Sequence, residues 1–404
     1  MKHTMQYDFP PVIWWMLTAT GVTRITQFMT MPFMALFMST HTHASPSVIG
    51  LAIGMSPLCA TLFSFVGGTL SDRFGRRGLM VAAMIINAIA MCAFATARTI
   101  AVFFLISVLT GMSRALFEPA SQAMMTDVIE KDKRASVFAM DYWIVNIGAS
   151  VGPVLGGYFG TVATGVTFYI AAAVSALYAI VIIIRFPESK PQKDQRDHAG
   201  FTTSLRVIGM DKALLYFIVA STITSLDYSQ FDTTLPQFMQ SLFGATGAAK
   251  NFSIVFATTG FEVVVLQFIV NRFSSRWSIA RTFTISQTLY CISFICLGLS
   301  RSLTALLLTT VVLIVGEVMG APRIGEYVSS LSKNQMRGAY FGANSLANLG
   351  LFLGPWLGGI LLHRFGGTIL FLIVGLTVLA SIPFYRLSYR HNAETNSRRW
   401  NPDA

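Results

Sequence analysis

Charge is what this sequence has least of. Only 12% of its 404 residues are Asp, Glu, Lys or Arg, against about 25% in a soluble domain. So few charges cannot clothe a water-facing surface. With 53% hydrophobic residues and a mean hydropathy of +0.60, the chain has lipid as its solvent. Cysteine is also scarce: Cys59, Cys92, Cys291 and Cys296 each lie inside an apolar run, with no metal-ligand spacing. That argues against a disulfide framework and against a zinc or other metal site. The six histidines fall at the termini or between apolar runs. Any proton that crosses the membrane through this chain is therefore left to carboxylates. No phosphate-binding glycine loop is present, which excludes an ATP-driven pump. No nucleophile–base pair appears either, so the expectation is a protein that is not an enzyme and takes no cofactor beyond protons as a coupling ion.

The net charge of +11 does not point to nucleic acid. Lys and Arg gather in short segments between apolar runs, as cytoplasmic loops do. Twelve runs are long enough to span a bilayer, at 12–38, 48–70, 78–97, 100–123, 135–160, 165–186, 211–241, 251–272, 279–299, 302–327, 337–362 and 367–388. The first is too long for the apolar core of a signal peptide, and no cleavable leader is visible. Loop charge alternates. Arg73, Arg76 and Arg77, then Lys131, Lys133 and Arg134, then Arg185 to Arg206, Arg272 to Arg281, and Lys333 with Arg337 mark one side; Arg98, Lys250, Arg301 and Arg364 stand singly on the other. The positive-inside rule puts both termini in the cytoplasm of a bacterial inner membrane.

The chain repeats itself. Pro119, Arg134 and Phe138 recur at one constant offset as Pro322, Arg337 and Phe341, and Gly152-Pro153 returns as Gly354-Pro355. This predicts an all-α integral membrane fold of twelve helices in two pseudo-symmetric six-helix bundles. The first occupies residues 1–186 and the second 211–404. The polar stretch 187–210 is the cytoplasmic linker between them. Parallel half-repeats of this kind bind a substrate between the halves, near the midplane.

Between the second and third runs stands GGTLSDRFGRRGL (67–79), which resembles the signature loop of the major facilitator superfamily at Gly68, Asp72, Arg73, Gly75, Arg76 and Arg77. The resemblance implies a conformational latch. Its counterpart NRFSSRW (271–277) has Asn271 in place of the acid, so the latch is expected to be asymmetric. GASVGPVLGG (148–157) resembles the superfamily's antiporter signature at Gly148, Gly152, Pro153, Gly156 and Gly157. Small residues there let helices touch, and tight packing is the plainer reading of the same pattern. The fourth helix departs from the family: its usual arginine would fall near Ser107, and Arg114 comes two turns later. MDYW (140–143), QFDTTLP (230–236) and GEVMGAP (316–322) are similar to phrases of the drug:proton antiporters of that superfamily, multidrug exporters with twelve helices. By that resemblance Asp141, Asp232 and Glu317 are nominated for proton coupling and cationic-drug binding, with Asp127 as a fourth coupling acid or a latch acid.

Physical chemistry reaches the same acids. A charge at the bilayer centre costs from ~3 to more than 10 kcal/mol, so it faces a partner or a wet cavity. Asp232 and Glu317 lie deep in their runs, where proton or substrate handling is the expectation and a structural salt bridge the plainer alternative. Arg114 and Glu118, and Arg323 and Glu326, are spaced to pair along one helix face. Arg24 has no partner nearby in sequence; it pairs across helices or meets an anionic group of the substrate. Gln27, Phe28, Tyr142, Trp143, Tyr228 and Phe231 offer the amphipathic aromatic surface of a broad pocket. Together with Arg24, Arg114, Glu118, Asp232 and Glu317 they form the expected substrate site. The function expected is proton-coupled export of small, amphipathic molecules by a monomer in the lipid bilayer. Export of an anionic metabolite such as a siderophore, and uptake by proton symport, are the alternatives. In the second copy Asn344 replaces Asp141, so the duplication kept this acid on one side only.

Overall fold

The computed structural model describes residues 9–130, 133–159, 165–188, 209–274, 276–332 and 337–400. Helices occupy the apolar runs. In order they are α1 (Pro11–Thr30), α2 (Met34–His41), α3 (Pro46–Phe74), α4 (Arg76–Thr96), α5 (Ile100–Val128), α6 (Arg134–Phe159), α7 (Val166–Arg185), α8 (Lys212–Ser274), α9 (Ile279–Leu299), α10 (Leu303–Leu331), α11 (Arg337–Asn344), α12 (Leu349–Leu379) and α13 (Ser381–Trp400). Pro11 and Pro46 stand at the first helical position, where a missing N–H costs nothing. The first apolar run is not one helix. It tightens to a 3-10 turn over Met31–Phe33, at Pro32, before α2 resumes.

Among the described residues, eight stretches are long and apolar enough to cross a membrane, and one of these, Tyr340–Ala393, runs for 54 residues. A span takes about 20. The protein is an all-α, multi-spanning membrane protein. Two long helices bend at glycines with positive φ: α8 at Gly244 (φ 72°), between runs 211–241 and 251–272, and α12 at Gly366 (φ 76°), between runs 337–362 and 367–388. A side chain at either place would strain the positive-φ backbone at the kink.

The residues cluster into two compact units. The first comprises Met1–Asp194 with Pro236–Gly260, and the second Gln195–Leu235 with Phe261–Ala404. Lipid gives helices no hydrophobic reason to associate, so close packing holds each unit. In the first unit, α6 lays Gly148, Gly152 and Gly156 on α1: a Cβ at Gly148 would sit 2.9 Å from Arg24 Cβ, and one at Gly152 2.6 Å from Ile25 O. Gly157 and Gly260 make the same kind of approach to Ser253 and Ser150 within that unit. In the second unit, Gly350, Gly354 and Gly358 of α12 lie on α8 between Thr222 and Thr234. The repeat seen in the sequence is thus one packing device used in both units. Gln230 ties the second copy by donating from Nε2 to Gly354 O (2.8 Å).

Replacing Gly354 by Val is expected to lower the thermal midpoint of the detergent-solubilised protein. The new methyls would meet Leu226 O, which is backbone and cannot rotate away. Overpacking of this kind costs ~1–3 kcal/mol. A melting curve unchanged from wild type would show that the α8–α12 contact is looser than described.

Aromatic rings fill the rest. Phe37, Phe94, Phe103 and Phe168 form one cluster in the first unit. Phe217, Phe283, Tyr327 and Tyr385 form another in the second, where Phe283 and Tyr385 stack at 4.3 Å. Arg185 lies over the Trp15 ring at 5.1 Å, a cation–π contact.

Candidate functional site

In the first unit the polar group inside the helices is built around Glu118. Arg24 Nη1 donates to Gln27 Oε1 (2.7 Å), and its Nη2 stands 3.7 Å from Glu118 Oε1. Arg114 Nη2 reaches the same oxygen at 3.5 Å. The spacing of Arg114 and Glu118 thus gives the pair the sequence suggested, and Arg24 joins it from another helix. Two guanidinium groups share one carboxylate oxygen at loose distances. All three side chains are partly exposed (28% for Arg24, 39% for Arg114, 41% for Glu118). Arg114 Nε is buried without a partner among the described residues. Asp141 is half-buried within electrostatic reach of Arg24, and its Oδ1 likewise has no partner there. Phe28 stands 6.1 Å from the ring of Phe256.

Trp143 is placed elsewhere. It is 51% exposed, on a stripe with Ile147, Val151, Val154 and Tyr158 that runs along an exposed face of α6. Two residues along a helix turn by about 200°, so this stripe is on the opposite face from Asp141. The side chain of Tyr142 lies outside the described residues. Ser107, where the family's arginine would fall, is fully buried, with no partner for its hydroxyl among the described residues.

In the second unit the site is carboxylic. Tyr228 Oη donates to Glu317 Oε2 (2.9 Å). Asp232, one turn further along α8, is within electrostatic reach of Glu317 and Tyr228. Phe231 is buried beside Tyr228, their rings 6.5 Å apart, and Tyr290 of α9 closes the group with its ring 6.1 Å from Tyr228. No Lys, Arg or His forms an ion pair with Asp232 or Glu317 among the described residues. Tyr290 was not legible from sequence: it is one aromatic among many in an apolar run.

Two further acids of this unit are more deeply buried than either. Asp227 is fully buried, and Glu262 nearly so. Thr377 Oγ1 lies 2.7 Å from Asp227 Oδ1, and Thr310 Oγ1 lies 3.2 Å from Glu262 Oε1. Their other oxygens, Asp227 Oδ2 and Glu262 Oε2, have no partner among the described residues.

At the loop after α3, Gly75 adopts φ 91° and opens α4, a turn that only glycine makes without strain. Arg76 reaches back to Ala123 O (2.7 Å) and pairs with Asp127. Arg77 donates to Ile183 O at the end of α7. Asp127 is thus paired with an arginine of the loop signature. The side chains of Gly68, Asp72, Arg73 and Asn271 lie outside the described residues, as does most of the linker, 189–208. In the second unit Arg323 pairs with Glu326 (2.7 Å) and donates from Nη2 to Ser274 O (2.9 Å), so it closes the end of α8 where helix carbonyls lack partners.

An arginine–glutamate group in one unit and, in the other, carboxyls with no ion pair among the described residues are thus set inside the helices of a multi-spanning membrane protein. The chain belongs to the Major Facilitator Superfamily, whose profile matches residues 16–261 and 217–402. It is 31% identical over 399 residues to YqjV of Bacillus subtilis (strain 168), an uncharacterized MFS-type transporter, with 97% of each chain covered. It is 25% identical over 321 residues to multidrug resistance protein 1 of the same organism, covering 79% of this chain and 82% of that one. Among solved structures, a mutant form of the nucleoside transporter NupG superposes with a TM-score of 0.82 at 14% identity, covering 94% of this chain and 100% of that one. That last likeness is one of fold. The protein is a membrane transport protein and not an enzyme.

Proposed function

We propose that the protein is a proton-coupled secondary transporter of a small organic molecule that carries an anionic group. It works by alternating access in a fold of two six-helix bundles. Its termini are cytoplasmic and it acts as a monomer in a bacterial inner membrane. The observation that carries this is the Asp232–Glu317 pair. Two partly buried carboxyls within electrostatic reach of each other, with no ion pair among the described residues, are held most cheaply with a proton bound on one of them. An anionic group on the substrate follows from the other unit. Arg24 and Arg114 share a single carboxylate oxygen of Glu118 and stay partly open to solvent. With Asp141 ionised the two guanidinium groups and two carboxylates balance; with Asp141 protonated one positive charge is in excess, which ties proton binding to anion binding at one place.

Export is the direction supported by the GASVGPVLGG stretch and by the relative named for multidrug resistance. That relative also supports a second reading, in which the substrate is an amphipathic drug and Asp232 and Glu317 bind its cationic group. The same carboxyl pair serves uptake by proton symport, and sidedness separates the directions. In inverted vesicles with an acidic lumen, an exporter accumulates the solute in the lumen, whereas a symporter drives preloaded solute out. Thermal-shift screening of the purified protein with carboxylate metabolites and cationic dyes together supplies the solute. Stabilisation by cationic dyes alone would overturn the anionic reading, and flux indifferent to the gradient would overturn proton coupling.

A further inference from the structure

Several cations at the basic ends of the helices are engaged within the protein. Arg76 pairs with Asp127, Lys133 with Glu130 and Arg323 with Glu326, while Arg185 lies over the Trp15 ring. The seam between α9 and α13 in the second unit differs. Arg281 of α9 and Arg386 and Arg390 of α13 are all exposed, and none forms an ion pair among the described residues. Acids at this end of the unit are already occupied. Asp211 accepts from the backbone N–H groups of Ala213 and Leu214 and from Tyr340 Oη, and Glu326 accepts from Arg323.

The three arginines are brought together by packing. Arg386 Nε donates to Thr284 Oγ1 (3.3 Å), which carries its side chain across the seam onto α9. The start of α9 therefore meets the end of the last apolar run, so the two helices run antiparallel there. Arg281 is three residues before Thr284 and shares its face; Arg390 is four residues after Arg386 and shares its face. Moving outward by three residues on α9 and by four on α13 covers about 4.5 and 6 Å, so Arg281 and Arg390 end at nearly the same level. Arg281 is further fixed over the ring of Trp277, 4.7 Å from its centroid.

Arg281 also stands at the wrong end of its helix. α9 begins at Ser278, whose side chain accepts from Arg281 N, and its first turn contains no acid. A helix N-terminus is a positive pole, so an arginine there is unfavourable until an anion joins it. Below the arginines the surface changes character. Past Thr288 the same face of α9 carries Ile292 and Leu299, both exposed, in a stretch apolar enough to span the membrane. A soluble anion would use only the upper part of this surface. An amphiphile with an anionic head would use all of it.

We propose that the α9–α13 seam is a binding site for an anionic phospholipid of the leaflet that faces the basic loops. Arg281 and Arg386 hold its phosphate, Arg390 stands at the rim, and an acyl chain lies along Ile292 and Leu299. Guanidinium forks match phosphate oxygens in pairs, and basic pockets between spanning helices at this level take acidic headgroups. The site is independent of the solute and of proton coupling, and is measured without transport. The purified full-length protein in neutral detergent is titrated with phosphatidylglycerol or phosphatidylcholine, and adducts are counted by native mass spectrometry. Phosphatidylglycerol is expected to bind more tightly than phosphatidylcholine. Its first adduct should weaken by about tenfold or more in Arg281→Gln/Arg386→Gln, as loss of charge-assisted contacts implies, and should be unchanged in Arg185→Gln of the first unit. Should the double variant fail to fold, Arg281→Gln alone takes its place with the same expected direction. Equal binding of the two lipids, or equal weakening by Arg185→Gln, overturns the proposal. Inorganic phosphate, in a parallel thermal melt, is expected to act on wild type and the double variant alike. Stabilisation by phosphate that needs the two arginines would make the site one for a free anion and overturn the lipid assignment.

Discussion

Proteoliposomes carrying Glu317→Gln are expected to lose accumulation of the solute against its gradient while still equilibrating it. A pH difference of one unit is worth ~1.4 kcal/mol per proton, or about tenfold in solute concentration. A transporter that exchanges one proton per solute thus sustains about 100-fold accumulation across two units, and a variant without the proton site sustains none. Glutamine keeps the size of the side chain and an acceptor for Tyr228 Oη, so binding and folding should survive. Tyr228→Phe removes only the hydroxyl that donates to Glu317, and should slow turnover without abolishing coupling. Counterflow with no gradient provides the control: retained counterflow with lost accumulation assigns Glu317 to coupling. Full accumulation by Glu317→Gln would remove the Asp232–Glu317 pair from the mechanism.

Arg24→Gln should weaken binding of the anionic solute by about tenfold to 100-fold. Hydrogen bonds to charged groups are worth ~1.5–3 kcal/mol, and every 1.4 kcal/mol is tenfold in affinity. Arg24 is the better of the two arginines to remove. It is positioned by Gln27, and Gly148 seats its Cβ against α6, so its head group is presented at a fixed place. Arg114 would still hold Glu118. Isothermal titration at two ionic strengths is the measurement. Wild-type affinity should fall with salt and that of Arg24→Gln should fall less, because a charge contact has been lost. Equal affinities would show that Arg24 serves Glu118 alone.

The sequence exposed the helices, the loop charges and the packing glycines, because each of these depends on neighbours three to five residues away. Gly152 and Gly354 are the clearest case: their spacing says that a helix is touched, and each touches one. What it could not expose is which side chains meet across helices. Glu118 was readable as the partner of Arg114 and not of Arg24. Asp127 could be nominated for coupling or for the latch, and only the position of Arg76 tells which contact it makes. Trp143 sits beside Asp141 in the chain and on the opposite face in space. Thr377, 150 residues from Asp227, is one threonine among many in an apolar run. Buried acids announce themselves in such a sequence, but the hydroxyls that satisfy them do not.

The division of charge within the membrane has an electrical consequence. The first unit keeps Arg24 and Arg114 among its carboxyls; the second holds Asp227, Asp232, Glu262 and Glu317 with no ion pair among the described residues. On the proton-coupled reading, every proton that loads the second unit changes the charge carried inside the low-dielectric region, where these four acids have no ion-pair partner among the described residues. An elementary charge displaced across the whole membrane is worth ~2.3 kcal/mol per 100 mV. Turnover should then feel the membrane voltage as well as the pH difference, and the two should trade against each other according to how many of the four acids exchange protons in a cycle. A count of charges moved per solute would thereby be a count of working carboxyls.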